Sequence, residues 1–157
     1  MIYDKLIDTD VLIWYLRGNQ NAYELIHGMK EFCISSITYM ELVQGMRNKD
    51  ELRTLQKTLK QWNVKTIYIN EEISARALFL VEEFFLSTSM ELADAMIAAT
   101  CLIYGIDLVT ANDKHYKVAK GLSIDIFRPY VTLVLNTPRV FRLRLRARAK
   151  NSCSQRV

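Results

Sequence analysis

Cysteine and histidine are scarce in this chain, at three and two among 157 residues. Cys33, Cys101 and Cys153 are odd in number, far apart and without ligand spacing, which argues against a disulfide framework or a zinc cluster and fits a reducing compartment. His27 and His115 also lie outside any ligand spacing; His27 reads as a surface helix residue and His115 as a substrate contact. A long apolar run is missing too. The longest, Ala95 to Ile106, is interrupted by Thr100 and falls short of the ~20 residues of a membrane span. The first residues, with Asp4 and Lys5 ahead of a short strand, lack a signal-peptide layout. The expectation is a soluble, cytoplasmic protein with no membrane partner. No internal repeat or low-complexity segment is found.

Acidic residues are absent from the end of the chain. All 17 acids and 14 of the 21 Lys and Arg residues fall within 1–130, while the other 7 basic residues fall within 131–157. The net charge of +4 and the basic pI of about 9.0 therefore belong to the tail, and the rest is net acidic. The break follows Arg128 and Pro129. Beyond it, Val140 to Arg148 alternates apolar residues with Arg142, Arg144, Arg146 and Arg148, as in an edge strand with a cationic face, a phosphate-gripping arm, or sequence foreign to the domain. The expected organisation is one domain over 1–130, long enough to bury a core without staples, and a basic tail over 131–157.

What is present is an alternation of strands and helices. Short apolar runs predict strands at Lys5 to Asp8, Phe32 to Ser35, Val64 to Ile69, Asp107 to Thr110 and Ser123 to Phe127. Between them, helical periodicity predicts helices near 10–16, 23–30, 38–46, 49–61, 71–86 and from after Ser87-Thr88-Ser89 to Gly105, with a short helical turn over 113–120. Such alternation implies an α/β fold with a parallel sheet covered on both faces, whose site lies outside the carboxyl ends of the strands.

Four acids stand where this pattern calls for apolar or structural residues. Asp8 ends the first strand, beside Thr9 and Asp10; either Asp also suits a helix N-cap. Glu41 has capping-box spacing from Thr38, so a cap and a carboxylate in the first turn aimed into a cleft are both open. Asp94 lies beyond a Thr88-x-x-Glu91 box, in line with Ile97, Ala98 and Cys101 on the stripe spaced for burial. Capping does not account for it there, and its structural alternative is a buried salt bridge to Lys or Arg. Asp113, after Asn112 and the strand ending at Thr110, also fits an ordinary turn. Several inward carboxylates in one small domain suggest a shared cation that offsets their repulsion. Without His or Cys, the set suits Mg²⁺ or Mn²⁺, ions that activate water and neutralise charge on a phosphate.

These segments together resemble the PIN-domain ribonucleases, and more narrowly the VapC-type toxins of toxin–antitoxin pairs. The resemblance is carried by Leu6-Ile7-Asp8-Thr9-Asp10-Val11-Leu12-Ile13, by Ser35 to Gln44 around Tyr39-Met40-Glu41-Leu42, by Leu92-Ala93-Asp94-Ala95-Met96-Ile97-Ala98-Ala99-Thr100, and by Leu108-Val109-Thr110-Ala111-Asn112-Asp113-Lys114-His115-Tyr116. It spans about residues 4–129, in family order. It implies a three-layer α/β/α PIN-like fold with about five short parallel strands, and metal-dependent endoribonuclease activity on RNA of the tRNA or rRNA class. Asp8 and Asp94 are the implied metal acids, Glu41 a further catalytic acid, and Thr9 and Thr110 supporting hydroxyls. The family's last acidic position aligns with Asn112, whereas the acid here is Asp113; both are carried as site candidates. The resemblance also implies a homodimer and an antitoxin partner.

Lys49, Arg53 and Lys57 at i, i+4, i+8, followed by Lys60, form a basic helix stripe that reads either as a solvated face or as a guide for an RNA backbone. Arg17 and Lys114 lie nearer the acids in sequence. Trp14, Tyr15, Leu16, Leu52, Leu55 and Trp62 serve equally as core or as an antitoxin groove. Two rival functions remain. One is a haloacid-dehalogenase-like phosphohydrolase built on Asp8-Thr9-Asp10, which Val11 and Leu12 fit poorly. The other is a non-enzymatic nucleic-acid-binding module acting through the tail.

Overall fold

The computed structural model describes residues 3–129, apart from Phe85 and Ser89. The described elements are β1 (Lys5–Ile7), α1 (Thr9–Leu16), α2 (Gln20–Gly28), β2 (Cys33–Ser35), α3 (Ser36–Gln44), α4 (Lys49–Gln61), β3 (Lys65–Ile67), α5 (Glu71–Phe84), α6 (Leu92–Tyr104), β4 (Asp107–Thr110), α7 (Asp113–Tyr116) and β5 (Ile124–Ile126). The strands form one sheet in the order β3-β2-β1-β4-β5, with every pair parallel. The tail reading of residues 131–157 lies outside the described residues. No helix among the described residues is long and apolar enough to cross a membrane.

Successive strand residues point to opposite faces, so the inner strands β1, β2 and β4 each serve two cores. Leu6, Cys33 and Leu108 pack with Ile73, Ala77 and Leu80 of α5 and with Ala95, Ala98 and Cys101 of α6. Their neighbours Ile7, Ile34 and Val109 pack on the other face with Val11 and Leu12 of α1, Ile26 of α2, Leu42 of α3, and Leu55 and Leu59 of α4. Three layers follow. On α6, Ala95, Ala98 and Ala99 are fully buried, and side chains this small let the helix lie close against the sheet. Gly105 then ends α6 in the left-handed region, at φ 64°, with its N–H donating to Cys101 O, a conformation that costs a residue with a Cβ. The Cys33 and Cys101 thiols are buried, and burial pushes Cys33 up to about 12, as suits packing residues rather than reactive thiols.

Two helix starts differ from the sequence reading. Ser35 caps α3, accepting from Ile37 N at 3.2 Å, so the helix begins at Ser36. Thr38 is therefore inside the helix, fully buried, and Glu41 lies in its second turn, with no part in a cap. Likewise α6 begins at Leu92 with Glu91 as N-cap, which makes Asp94 the third helical residue and a member of the cap, accepting from Glu91 N at 3.0 Å. The box was expected one turn earlier, at Thr88 and Glu91. The carboxylate at Asp94 thus does have a capping role.

Candidate active site

The strand order reverses between β1 and β4, and ligands of open parallel sheets bind at the carboxyl ends of the strands flanking such a point. Asp8 follows β1 there, and Thr110 ends β4. Asp8 is only 5% exposed and is the N-cap of α1, with its Oδ1 accepting from Thr9 N at 2.7 Å. Its Oδ2 accepts from Thr110 Oγ1 at 2.8 Å. The same hydroxyl lies 3.3 Å from Asp10 Oδ2, which also accepts from Ala111 N at 3.0 Å. One hydroxyl proton therefore faces two carboxylates. Asp10 Oδ1 is buried and has no hydrogen-bond partner among the described residues. Burial, and then the charge of Asp10, push the Asp8 carboxyl up to about 8, and burial raises that of Asp10 too.

Glu41 joins this pair through Thr9, whose Oγ1 donates to Glu41 Oε2 at 2.6 Å, so the second turn of α3 is tied to the first residue of α1. Asp94 approaches from α6. Its Oδ2 lies 2.8 Å from His115 Nδ1, and its Oδ1 accepts from Tyr116 Oη at 3.4 Å. Tyr116 is fully buried, and its hydroxyl also supports the charge on Asp8, so one phenol links the two acids. An ionised carboxylate only accepts, which places the imidazole proton on Nδ1. The Asn112 amide stands 2.9 Å from the same nitrogen, where the rotamer that suits an N–H donor turns its oxygen inward. Asp94 has His115 and Tyr116 as side-chain partners and, among the described residues, none of the Lys or Arg contacts a buried salt bridge would need.

Asp8, Asp10, Thr9, Thr110, Glu41, Asp94 and Asn112 are thus joined in two chains of contacts meeting at Tyr116. Asp113 is not joined to them by its side chain. Its Oδ2 pairs with Lys117 Nζ at 2.6 Å and its Oδ1 with Arg128 Nη2 at 2.9 Å, and these two cations hold the carboxyl down to about 2. The sequence reading did not count Asp10 or Tyr116 among its site candidates, and the structure brings both into contact with them. The Asp-x-Asp spacing at a strand tip was the signal for the first; nothing local marks the second. His115, expected to contact substrate, is buried and holds Asp94 instead.

The donor atoms are carboxylate, amide and hydroxyl oxygens, which suit a hard cation, and the unpartnered Asp10 Oδ1 beside a carboxyl raised to about 8 is a pairing that a cation relieves. No three His, Cys, Asp or Glu side chains among the described residues stand as a ready-made cage. Mg²⁺ needs none, because it is commonly held by one or two carboxylates plus water and substrate phosphate. The residues fit such an ion.

A five-stranded parallel sheet between helical layers, with acids gathered at its reversal point, defines a three-layer α/β protein with a carboxylate-lined candidate site. The PIN domain model matches residues 5–121, and the chain belongs to that family. Ribonuclease VapC19 of Mycobacterium tuberculosis is 31% identical over 123 residues, covering 75% of this chain and 96% of its own length. Ribonuclease VapC10 of the same organism is 32% identical over 121 residues, covering 74% and 89%. Among solved structures, a toxin–antitoxin complex from Klebsiella pneumoniae superposes with a TM-score of 0.65 at 27% identity, covering 80% of this chain and 98% of its own. The DNA-bound VapBC of Salmonella typhimurium, at TM-score 0.69 and 20% identity over 80% and 98% of the two chains, shares the fold.

Proposed function

We propose that this PIN-domain protein is an endoribonuclease of the VapC type, the toxin of a toxin–antitoxin pair, cleaving RNA with Mg²⁺ or Mn²⁺. The observation that carries the reading is the meeting of Asp8, Asp10, Glu41 and Asp94 through Thr9, Thr110 and Tyr116 at the reversal point of the sheet. The VapC ribonucleases it resembles over three quarters of its length support it. Asp8 and Asp94 would hold the ion, with Asp10 and Glu41 contributing charge or binding its water. The bound ion supplies Lewis acidity toward the phosphodiester and a more acidic water.

The rest is done by the chain. Thr9 fixes Glu41, so that a carboxylate from α3 faces the strand tips instead of solvent. Thr110 keeps Asp8 and Asp10 on one donor and prevents either from turning away. His115 and Glu91 N–H occupy Asp94 Oδ2 while Tyr116 takes one lone pair of Oδ1, so Oδ1 is the oxygen with a lone pair left for an ion. Asn112 contributes a neutral group where a fifth acid would add repulsion.

Lys49, Arg53, Lys57 and Lys60 are exposed along α4 and would steer an RNA backbone. For the antitoxin, Trp14, Leu52 and Trp62 remain half-buried and Tyr23 and Met40 exposed, whereas Tyr15, Leu16 and Leu55 belong to the core. For a homodimer, α5 presents Leu78 and Phe79, 59% and 51% exposed, an apolar pair that a second copy would cover. The test is incubation of purified protein with tRNA and rRNA plus Mg²⁺ or Mn²⁺, beside EDTA and folded Asp8→Asn and Asp94→Asn variants. Discrete cleavage abolished by chelation and by both substitutions is the expected result. Equal cutting by every sample overturns the assignment.

A further inference from the structure

The β4–α7 corner presents Thr110, Asn112, His115 and Tyr116 to the site, yet α7 is a single turn, Asp113–Tyr116, and a helix that short does not sustain itself in water. Its N-cap residue, Asn112, makes no side-chain capping bond, because its amide is turned to His115. Asp113 supplies the missing restraint. It is 5% exposed, and its two oxygens are taken by Lys117 within the turn and by Arg128 beyond β5. The same guanidinium donates from Nη1 to Ala111 O at 3.2 Å and to Phe127 O at 3.3 Å, and Asn21 Nδ2 donates to Arg128 O at 3.3 Å. Ala111 is the residue whose N–H reaches Asp10. Arg128 therefore grips the loop one peptide away from Asp10 and the turn whose side chains hold Asp94.

Resting on the nuclease reading above, we propose that Asp113 and Arg128 form a latch that positions the Thr110–Asn112 loop and α7 against Asp10 and Asp94. Asp113 is then a positioning residue that touches neither substrate nor ion. Both of its oxygens are already matched to cations, and its charge is spent on the arch between β4 and β5. The latch also makes Arg128, past β5, part of the machinery of the site.

The test compares the parent chain with Asp113→Asn, Arg128→Gln, Arg128→Lys and the double variant Asp113→Asn/Arg128→Gln. Mn²⁺ affinity is read by electron paramagnetic resonance, kcat and KM on RNA by cleavage assay, and folding by thermal melting. Each of the first two substitutions is expected to weaken Mn²⁺ binding about tenfold, as loss of a partner behind a metal ligand does, with kcat falling in parallel and KM for RNA unchanged. The double variant is expected to be no weaker than the worse single, because the two residues act through each other. Arg128→Lys, which keeps one contact and loses the fork, falls between, and it decides the matter if Arg128→Gln does not fold. Variants that bind Mn²⁺ and cut like the parent overturn the latch, as do losses that multiply in the double variant. So does an Asp113→Asn chain as inactive as Asp8→Asn beside an unaffected Arg128→Gln, since that result makes Asp113 catalytic. A parent that binds Mn²⁺ and cuts no RNA sinks the nuclease reading, while its Mn²⁺ affinities still test the latch.

Discussion

Replacing Asp10 with Asn should stabilise the metal-free protein at alkaline pH and leave it nearly unchanged at acidic pH. Asp8 Oδ2 and Asp10 Oδ2 lie 2.8 Å and 3.3 Å from one hydroxyl oxygen, so the two are at most about 6 Å apart, and at an effective dielectric of ~20 their repulsion is roughly 3 kcal/mol when both are ionised. After burial, this repulsion is the second cause of the rise of the Asp8 carboxyl to about 8. The sign follows from linkage. A carboxyl whose folded value lies above its unfolded value favours the fold when protonated, so this stabilisation is present below about pH 4 and is lost as pH climbs to about 8. The Asn variant keeps an acceptor for Ala111 N–H and removes the charge. Urea unfolding in EDTA from pH 5 to pH 9 is expected to show the parent losing stability on the alkaline side. Asp10→Asn should recover about 2–3 kcal/mol of that loss at pH 9. Parallel curves for the two proteins would refute the argument, because the Asp10 charge would then have no hold on Asp8. Saturating Mg²⁺ should flatten the parent's alkaline loss more than the variant's.

Thr110→Val removes the hydroxyl shared by the buried Asp8 and half-buried Asp10 carboxylates and the acceptor of Asn112 N–H at 3.0 Å, and should cost about 2–3 kcal/mol in denaturant unfolding at pH 7. Thr9→Val frees Glu41 and is expected to lower metal-dependent RNA cleavage about tenfold with little change in melting temperature. Leu108→Ala, fully buried in a central strand, should destabilise by about 2–5 kcal/mol without moving the metal affinity of the folded fraction. Changing Lys49, Arg53, Lys57 and Lys60 to Gln should leave the fold intact. If all four meet phosphates, the dependence of log affinity for single-stranded RNA on log salt flattens by about 3.

The inner strands were legible because two faces of burial leave short apolar runs, the edge strands β3 and β5 only by alternation, and each lies within a residue or two of its predicted place. Helix starts were harder. A Ser or Thr three residues before a Glu is a frequent spacing, and at Thr38 and Thr88 it matched while the caps formed at Ser35 and Glu91. The error hid a role, since Asp94 reads as lying beyond a cap only when the cap is placed one turn early. Asp10 shows a second limit: its importance arises when β4 lands beside β1 and brings Thr110 and Ala111 about a hundred residues along the chain to its carboxylate. The pairing of Asp113 was not legible, because its partner Arg128 is brought to it by β5. His27 is exposed on α2 as expected, yet its ring packs on Tyr23 at 4.1 Å, a contact set by the turn of the helix.

The acids at Asp8 and Asp94 each begin a helix as well as facing the site, and Glu41 caps nothing. A descendant of this chain that had abandoned its reaction would still gain from an oxygen acceptor at the two capping positions, and Asp or Asn would persist there for folding alone. Retention of those two residues is therefore a poor sign of activity when relatives are compared. The informative position is the one on α3, where a carboxylate bonded to Thr9 contributes little to its helix, so its loss should be the first mark of a silent copy.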